Sequence, residues 1–372
     1  MSVGREHRIK LLHVITGLNV GGAEKAVYNL VKGLAAFQYR VDIAVLKGEM
    51  ELKSDFEAMG CRIYAIGTRS NCDVRGVYRL YKLISENKYD IVHGHLFRAE
   101  IFAAIASGFA KNTRFIVTKH NDPEYFSNWL YYLINRLTLL FLTDRVIAIS
   151  DHVKRYFVRK GMCAEDKITR IYYGFETTTQ RRTTDSTLSQ SDQPIIGTIA
   201  RLSRQKGVDV LLRAYRKLLK AGSNCRLVVV GRGEEERELK KLSHALGIEK
   251  EIFWMGFRND VLDLLSSFDI FILPSRWEGF GMVLAEAMAL EKPVVSTRVS
   301  AIPEIVVDFV TGLLVPPDDS ERLAAAVRVL LADQSLRKRM GFAGKKRIEQ
   351  EFTIENMIQE TEELYQLLLG GG

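Results

Sequence analysis

The sequence has few cysteines and no long uncharged apolar segment. Its four cysteines form no C-x-x-C pair and have no histidines at zinc-ligand spacing, which argues against a disulfide framework and a zinc site. No window approaches the roughly 18 to 20 apolar residues of a membrane-spanning helix. The apolar run 9–15 is too short for a signal peptide. We therefore expect a cytoplasmic protein that is soluble or bound only to a membrane surface.

Charge is distributed unevenly along the 372 residues. The net charge is +8, but residues 1–174 carry 26 Lys and Arg against 17 Asp and Glu, which gives +9 and leaves −1 for the remainder. Such an excess favours an acidic partner, for example an anionic membrane, a lipid phosphate or nucleic acid. A solvated basic surface explains the same count, so charge alone identifies no partner.

Short apolar runs alternate with helical segments along most of the chain. This pattern predicts parallel sheets with helices on both faces. It stops at a polar stretch rich in Ser and Thr and then restarts, which predicts a first domain over 1–176, a linker over 177–193 and a second domain over 194–352. The expected fold class is α/β, with two doubly wound domains facing each other across a cleft. In such sheets, ligands bind beyond the carboxyl ends of the strands.

In the second domain, two cations follow the first predicted strand. Arg201 and Lys206 lie on a turn that leads into a helix, where a phosphate is a natural ligand for an Arg fork, a Lys charge and a helix N-terminus. An ordinary basic loop explains them equally well. Gly231, after the next strand, fits either close packing or ligand approach.

The most informative segment, 273–288, follows the strand DIFIL. Glu278 lies in the loop, and Glu286 lies about one turn inside the following helix, among apolar neighbours. Carboxylates accept hydrogen bonds from vicinal hydroxyls, so one could hold a sugar and the other a ribose. The glycines between them would let backbone N–H groups reach a polyhydroxylated or anionic ligand; this loop comprises Gly279, Phe280, Gly281, Met282 and Val283.

In the first domain, a glycine-rich turn follows the first strand. Gly21, Gly22 and Glu24 do not form a G-x-G-x-x-G motif, and no acidic residue closes the next strand, which disfavours a dehydrogenase.

Three histidines end two later strands of this domain. Spacing places His93 and His95 on one strand face, and His120 follows the next strand. They invite a metal-site interpretation, but we favour packing for His93 and a polar contact to a sugar for His120.

The stretch 124–142 is aromatic and strongly apolar. It could lie in a bilayer interface. We favour burial against the sheet, because its apolar residues cover most of the helix circumference.

Together these motifs resemble those of the family 4 retaining glycosyltransferases of the GT-B fold, over nearly the whole chain. The most specific element is an E-x7-E pattern at Glu278 and Glu286. Supporting motifs are GGAE (21–24), TKH (118–120), IAIS (147–150), RLSRQKG (201–207), VVGRG (229–233) and IPEIV (302–306).

The resemblance implies roles for particular residues. Arg201 and Lys206 would bind the donor diphosphate in place of a metal, while Glu278 would contact the donor sugar and Glu286 the ribose. The remaining positions implied are His120 near the donor sugar, Gly21 and Gly22 under the diphosphate and acceptor, Gly231 and the glycine loop on the donor, Phe257 and Arg258 at the base, and Glu24 and His95 on the acceptor side.

A final helix at about 353–369 is expected to pack back onto the first domain. The chain departs from the family pattern in two places: Ser300 and Ala301 replace paired glycines, and Ala200 replaces a glycine before Arg201.

The expected function is metal-free, retaining transfer from a nucleotide diphosphate sugar to a hydroxyl of a glycan, glycolipid or lipid-linked acceptor in cell-surface polysaccharide or glycolipid synthesis. A UDP-sugar is favoured over a GDP-sugar. No cofactor and no nucleic acid partner are expected, and an anionic membrane surface is a candidate partner. The alternatives are a GT-B-fold sugar-nucleotide epimerase or phosphorylase, and a non-catalytic basic membrane-binding protein.

Overall fold

The structure, a computed structural model, describes residues 8–19, 21–34, 37–121, 129–176, 188 and 193–370. Contacts divide the chain into two units: Met1–Gly174 with Ile354–Gly372, and Phe175–Thr353. Apart from Leu188 and Gln193, the predicted linker lies outside the described residues.

The first unit is built on a seven-stranded sheet in which every pairing is parallel. Its strand order is β3-β2-β1-β4-β5-β6-β7, and in the centre Leu11 lies opposite both Val41 and Ile91. The central strands are buried on both faces, as expected for a sheet covered by helices on each side. The strands are Ile9–Ile15 (β1), Tyr39–Val45 (β2), Arg62–Ala65 (β3), Ile91–His95 (β4), Arg114–Lys119 (β5), Arg145–Ala148 (β6) and Ile168–Arg170 (β7).

Helices connect these strands, and side-chain caps define where two of them begin. Asp73 accepts a hydrogen bond from the Gly76 N–H at 3.1 Å, and Ser150 accepts one from the Val153 N–H at 3.2 Å. The helices are Gly22–Leu34 (α1), Lys53–Ala58 (α2), Val74–Asn87 (α3), Phe97–Phe109 (α4), Trp129–Leu137 (α5), which continues as a π-helical turn over Thr138–Leu142, and Asp151–Arg159 (α6).

The prediction that the apolar stretch 124–142 is buried is wrong for its described part. Asn135, Thr138 and Leu139 are buried, whereas most of the large apolar side chains of α5 and its π-helical turn are exposed. Asn135 accepts a hydrogen bond from the buried Lys119 ammonium at 2.9 Å, so a polar side chain provides this inward contact. Residues 124–128 of the stretch lie outside the described part of the chain.

The second unit contains a six-stranded parallel sheet of order β10-β9-β8-β11-β12-β13. Its strands are Ile195–Ile199 (β8), Arg226–Val230 (β9), Ile252–Gly256 (β10), Ile270–Leu273 (β11), Val294–Thr297 (β12) and Gly312–Val315 (β13). Its helices are Val208–Lys220 (α7), Glu236–Ala245 (α8), Val261–Ser267 (α9), Met282–Ala289 (α10), Ile302–Ile305 (α11), Ser320–Ala332 (α12) and Gln334–Glu351 (α13). Both sheets confirm the predicted doubly wound α/β architecture.

The last helix, Ile354–Leu369 (α14), belongs to the first unit. It packs against α1, where a Cβ added to Gly33 would lie 1.7 Å from the Cδ1 atom of Ile358. The buried Tyr365 hydroxyl is hydrogen-bonded to His93 Nδ1 at 2.6 Å. The C-terminal helix therefore completes the core around β4.

Among the helices in the described part of the chain, none combines the length and apolar character that crossing a bilayer requires.

Candidate functional site

The strand order of the second sheet determines where its ligand crevice lies. β8, β9 and β10 extend to one side and β11, β12 and β13 to the other, so the order reverses between β8 and β11. The loops that leave these two neighbouring strands diverge at such a point and leave a crevice beyond the carboxyl ends. Here those loops are 200–207 and 274–281, two of the segments in which the sequence predicts donor-binding residues.

A lysine and a glutamate join these two loops. Lys206 Nζ donates a hydrogen bond to Glu278 Oε1, which also accepts one from Ser275 Oγ at 2.9 Å. The Glu278 side chain is 7% exposed and that of Lys206 is 19% exposed. The structure thus brings together two residues that lie 72 positions apart in the sequence.

An arginine that the sequence analysis did not single out fixes the geometry of the second loop. Arg276 donates two hydrogen bonds to Asp209 of α7, at 2.9 and 2.8 Å, and one to Asp318 at 2.7 Å. Its backbone N–H also donates to the Gln205 carbonyl at 2.7 Å. The Asp209 carboxylate raises the pKa of the Arg276 guanidinium above its usual value. The sequence did contain a signal for Arg276, since it lies two residues before the candidate residue Glu278.

Arg201 lies at the same end of the sheet but is largely exposed. Its guanidinium pairs with Glu234, a residue of the loop after β9, at 3.1 Å. This surface pair is weak and exchangeable, so an incoming anion can compete for the guanidinium.

The glycine loop leads directly into α10. Gly281, with φ of 96°, precedes the first helical residue. The Phe280 side chain is buried between the rings of Phe175 and Phe352, with ring centroids 6.0 and 5.8 Å away, so it anchors the loop. Only the backbone of Phe280 remains for the predicted ligand contact.

Glu286 does not lie in the fully apolar surroundings that its sequence neighbours indicated. It is half-buried on the face of α10 that also carries Met282 and Val283. Its apolar neighbours turn to the opposite, buried face because successive helical residues are about 100° apart; these neighbours are Leu284, Ala285, Ala287 and Met288.

The other predicted donor-side residues lie after β9 and β10. A Cβ at Gly231 would lie 1.9 Å from the Ala200 carbonyl oxygen, so close packing of two loops accounts for this glycine. Phe257 is exposed, and Arg258 donates to Asp260 at 2.7 Å. Hydrogen bonding to Arg258 lowers the pKa of the Asp260 carboxyl.

In the first unit, the strand order reverses between β1 and β4. Gly21 and Gly22 follow β1 at this point, and the Glu24 carboxylate lies 2.4 Å from where a Cβ on Gly21 would be. A larger residue at position 21 would require the Glu24 side chain to move. Burial raises the pKa of Glu24.

Behind this turn, four buried histidines form a connected cluster. His13 Nδ1 lies 2.8 Å from His95 Nε2, and His95 Nδ1 lies 3.3 Å from His120 Nε2. His120 Nδ1 is hydrogen-bonded to the Tyr173 hydroxyl. His93 is hydrogen-bonded to Tyr365 and, at 2.7 Å, to Thr118.

Desolvation keeps these four rings neutral. It lowers the pKa of His13 and of His120 to about 3, and it lowers the pKa of His93 and His95 well below the usual value. Sequence reasoning did not identify His13, although a histidine inside an apolar strand was a visible signal.

The same cluster bears on the metal question. One ring nitrogen from each of His13, His93 and His95 lies within 4.8 Å of the others, so the three could hold a metal ion. Both ring nitrogens of His93 and of His95 are engaged in hydrogen bonds. Within the described residues, His13 Nε2 is the one ring nitrogen of the three without a partner. The arrangement fits a hydrogen-bonded chain better than a ligand set.

The predicted roles of His120 and His95 stay predictions. His120 is buried and both of its nitrogens are occupied, so a contact to a sugar would require one of these bonds to open. The same holds for His95 and a contact to an acceptor.

Two family models together match residues 20–347. The model described as Glycosyltransferase Family 4 matches residues 20–179, and that described as Glycosyl transferases group 1 matches residues 179–347. The chain belongs to glycosyltransferase family 4.

Two curated relatives of this glycosyltransferase are named for the biosynthesis of capsular polysaccharide and of lipopolysaccharide core. It is 26% identical over 311 residues to the capsular polysaccharide biosynthesis glycosyltransferase CapM of Staphylococcus aureus, covering 80% of this chain and 82% of that one. It is 27% identical over 269 residues to the lipopolysaccharide core biosynthesis mannosyltransferase LpsB of Rhizobium meliloti, covering 69% of this chain and 73% of that one.

Solved structures share the fold. The structure of HepE from Anabaena in complex with UDP and glucose superposes with a TM-score of 0.87 at 22% identity, covering 96% of this chain and all of that one. A glycosyltransferase from Rickettsia africae gives a TM-score of 0.82 at 24% identity, covering 98% of this chain and all of that one. These matches agree with the predicted GT-B fold.

Proposed function

We propose that this glycosyltransferase transfers a sugar, with retention of configuration and without a metal ion, from a nucleotide diphosphate sugar to an acceptor hydroxyl. The observation that carries the proposal is the Lys206–Glu278 contact at the strand-order reversal of the second sheet. One loop supplies a cation for a diphosphate and the other a carboxylate for sugar hydroxyls.

Lys206 can donate hydrogen bonds to a phosphate and to Glu278 at the same time. An ammonium group has three N–H donors, and the hydrogen bond to Glu278 uses one of them. Binding of the diphosphate would add charge-assisted hydrogen bonds from Lys206, and from Arg201 after its surface pair with Glu234 opens.

In the proposed reaction, the bond between the anomeric carbon and the diphosphate oxygen breaks, and the leaving diphosphate takes the electron pair. The acceptor hydroxyl oxygen attacks from the same face, and its proton passes to the departing phosphate oxygen. Lys206 and Arg201 stabilise the developing negative charge, as a divalent cation does in metal-dependent transferases.

The donor and acceptor classes are argued from relatives. The HepE structures are complexes with UDP and with UDP-glucose, and CapM and LpsB are named for capsular polysaccharide and lipopolysaccharide core biosynthesis. We therefore propose a UDP-sugar donor and a glycan, glycolipid or lipid-linked acceptor. We place the enzyme in the cytoplasm, at the inner face of the membrane where lipid-linked acceptors are found.

Within the second unit, Glu278 and Glu286 are assigned to the donor sugar and the ribose, the loop from Gly279 to Val283 to sugar hydroxyls, and Phe257 and Arg258 to the base. In the first unit, Gly21, Gly22, Glu24, His95 and His120 stay candidates for contacts to substrate.

A thermal-shift titration with UDP, GDP, ADP and their sugar conjugates, with EDTA present throughout, tests the donor assignment. Selective binding to the folded state at a hundred times the dissociation constant stabilises it by about 2.7 kcal/mol, so the midpoint should rise with UDP concentration. Lys206→Ala should abolish most of this rise, and Lys217→Ala, which removes a surface pair with Glu321, should leave it unchanged.

Two results would overturn parts of the proposal. A midpoint that responds to no nucleotide, with or without magnesium, contradicts the donor site. A response that requires magnesium contradicts metal independence. The anomeric configuration of the product, read from proton coupling by NMR, checks retention.

A further inference from the structure

An exposed apolar surface runs along α5 and its π-helical turn. Trp129 and Phe141 at its two ends are 73% and 76% exposed. We call this surface the 129–142 ridge; its exposed residues are Trp129, Leu130, Leu133, Leu137, Leu140, Phe141 and Leu142. Seven large exposed apolar side chains within fourteen residues form a patch that typically marks an interaction site.

Further apolar side chains extend the ridge across α4 and α3. The Cδ2 atom of Leu142 lies 3.5 Å from the position of a Cβ on Gly108. The next residue, Phe109, is exposed and packs edge-on against Tyr81, which in turn lies beside the exposed Tyr78. The apolar surface is therefore continuous over three helices of the first unit.

Polar contacts on the inner side hold the ridge in place. Asn135 accepts from Lys119, which also forms a buried ion pair with Glu100. Lys167 donates to the carbonyls of Leu139 and Leu140 at 2.7 and 3.1 Å. The apolar side chains of the ridge are therefore exposed on a helix whose inner side is held by polar contacts.

Positive charge lies beside the ridge. The Tyr132 hydroxyl donates to the Lys160 carbonyl at 2.7 Å, which places the end of α6 next to α5. Residues 129–160 carry six Lys and Arg against two Asp, a net charge of +4. Arg155, Arg159 and Lys160 are exposed.

The apolar ridge and the positive charge beside it together indicate which kind of partner binds this surface. A second copy in a two-fold contact would place two segments of charge +4 against each other, which is unfavourable. An anionic bilayer offers an apolar interior for Trp, Phe and Leu and negative headgroups for the cations of α6.

We propose that the 129–142 ridge and the basic end of α6 dock this protein onto an anionic lipid bilayer. The inference deepens the proposed function and rests on it, because docking would bring the enzyme to an acceptor held in the membrane.

Sedimentation with two kinds of vesicle tests the proposal, one of phosphatidylcholine alone and one with phosphatidylglycerol in roughly equal amount. The full chain should bind the anionic vesicles and bind the neutral ones much more weakly. Trp129→Ser/Phe141→Ser should lower the partition coefficient at least about tenfold, because two large apolar side chains no longer leave water. Arg159→Gln/Lys160→Gln should lower it by roughly thirtyfold at low salt.

The matched control is Phe253→Ser/Phe342→Ser, which removes two exposed aromatic rings from the second unit. Its partition should equal that of the unchanged protein. Equal binding of all variants, or no binding to anionic vesicles, overturns the proposal. So does a lipid-free dimer, seen by sedimentation velocity, that the ridge variant converts to monomer.

The UDP-dependent thermal shift, measured on the same samples, separates this inference from the proposed function. If the unchanged protein shows the UDP shift but does not bind anionic vesicles, docking alone is contradicted. Vesicle binding without any nucleotide shift contradicts the donor site and leaves docking standing.

Discussion

The rings of His95 and His120 are joined through nitrogen, His95 Nδ1 lying 3.3 Å from His120 Nε2. Because the pKa of each ring is lowered, both are neutral, and a neutral imidazole donates through one nitrogen and accepts through the other. In the series of hydrogen bonds from His13 through His95 and His120 to Tyr173, all the donors therefore point the same way at any moment. The tautomer of His120 is coupled to that of His13, although the two rings are not directly hydrogen-bonded to each other.

These buried histidines predict how stability depends on pH. The pKa of His13 is about 3 in the folded state and about 6.5 when unfolded, so between these values the unfolded chain binds more protons. The contribution of these histidines to the free energy of unfolding should be fully present above about pH 6.5. As the pH is lowered below this value, the free energy of unfolding should decrease by up to about 1.4 kcal/mol per pH unit for each such histidine. Urea midpoints measured from pH 8 to pH 5 check this.

His13→Phe, which keeps a ring beside His93 and His95, should make this slope shallower. An identical slope in the unchanged protein and the His13 variant would contradict the assignment.

Lys206→Ala should lower transfer by about a hundredfold to a thousandfold, because it removes the charge that we propose stabilises the leaving diphosphate. It should also cost about 1 to 3 kcal/mol of stability, since Glu278 then keeps Ser275 as its partner but loses the ammonium. Steady-state rates and urea midpoints measure the two effects. Lys217→Ala, on the surface of the same unit, is the control, and full activity in the Lys206 variant would remove the lysine from the reaction.

Arg276→Lys should reduce kcat by about ten- to hundredfold through misplacement of the loop that carries Glu278. Lysine keeps the charge but cannot make the paired hydrogen bonds to Asp209. Donor saturation kinetics, with unfolding curves alongside, separate this effect from general destabilisation. Arg298→Lys, in a surface pair with Asp308, should leave kcat unaltered.

Tyr365→Phe should destabilise the first unit while leaving the second unit unaffected. The variant leaves His93 Nδ1 buried without its hydroxyl partner, at a cost of about 1 to 3 kcal/mol. Hydrogen exchange should increase in β1 and β4 and stay constant in β8 and β11. Tyr215→Phe, which removes hydroxyl bonds to the Cys225 and Glu251 carbonyls, should give the reverse pattern.

The sheets and the loops after their strands could be predicted from the sequence because both depend on local patterns. Apolar runs of strand length identified the β-strands, and Lys206 and Glu278 each stood out within its own loop. Their direct contact could not be predicted, since it depends on β8 lying beside β11. Strand order is a property of the assembled sheet.

Other features were missed for identifiable physical reasons. Arg276 resembles any loop arginine until Asp209 is placed beside it. His13 was counted as part of a buried strand, and its partners come from β4, which lies about 80 residues later. For α5, apolar content indicated burial, but apolar content does not specify which face turns inward, and Asn135 turns inward.

The membership of α14 in the first unit has a consequence for synthesis on the ribosome. Strands β1 to β7 emerge before any residue of the second unit, yet Tyr365 and Ile358, which complete their core, are translated last. The half of the protein that is made first is therefore finished last, and its apolar surface under α14 needs protection while the second half is translated. A premature stop codon between Thr353 and Ile358 would leave the second unit whole and remove both side chains from the core of the first unit.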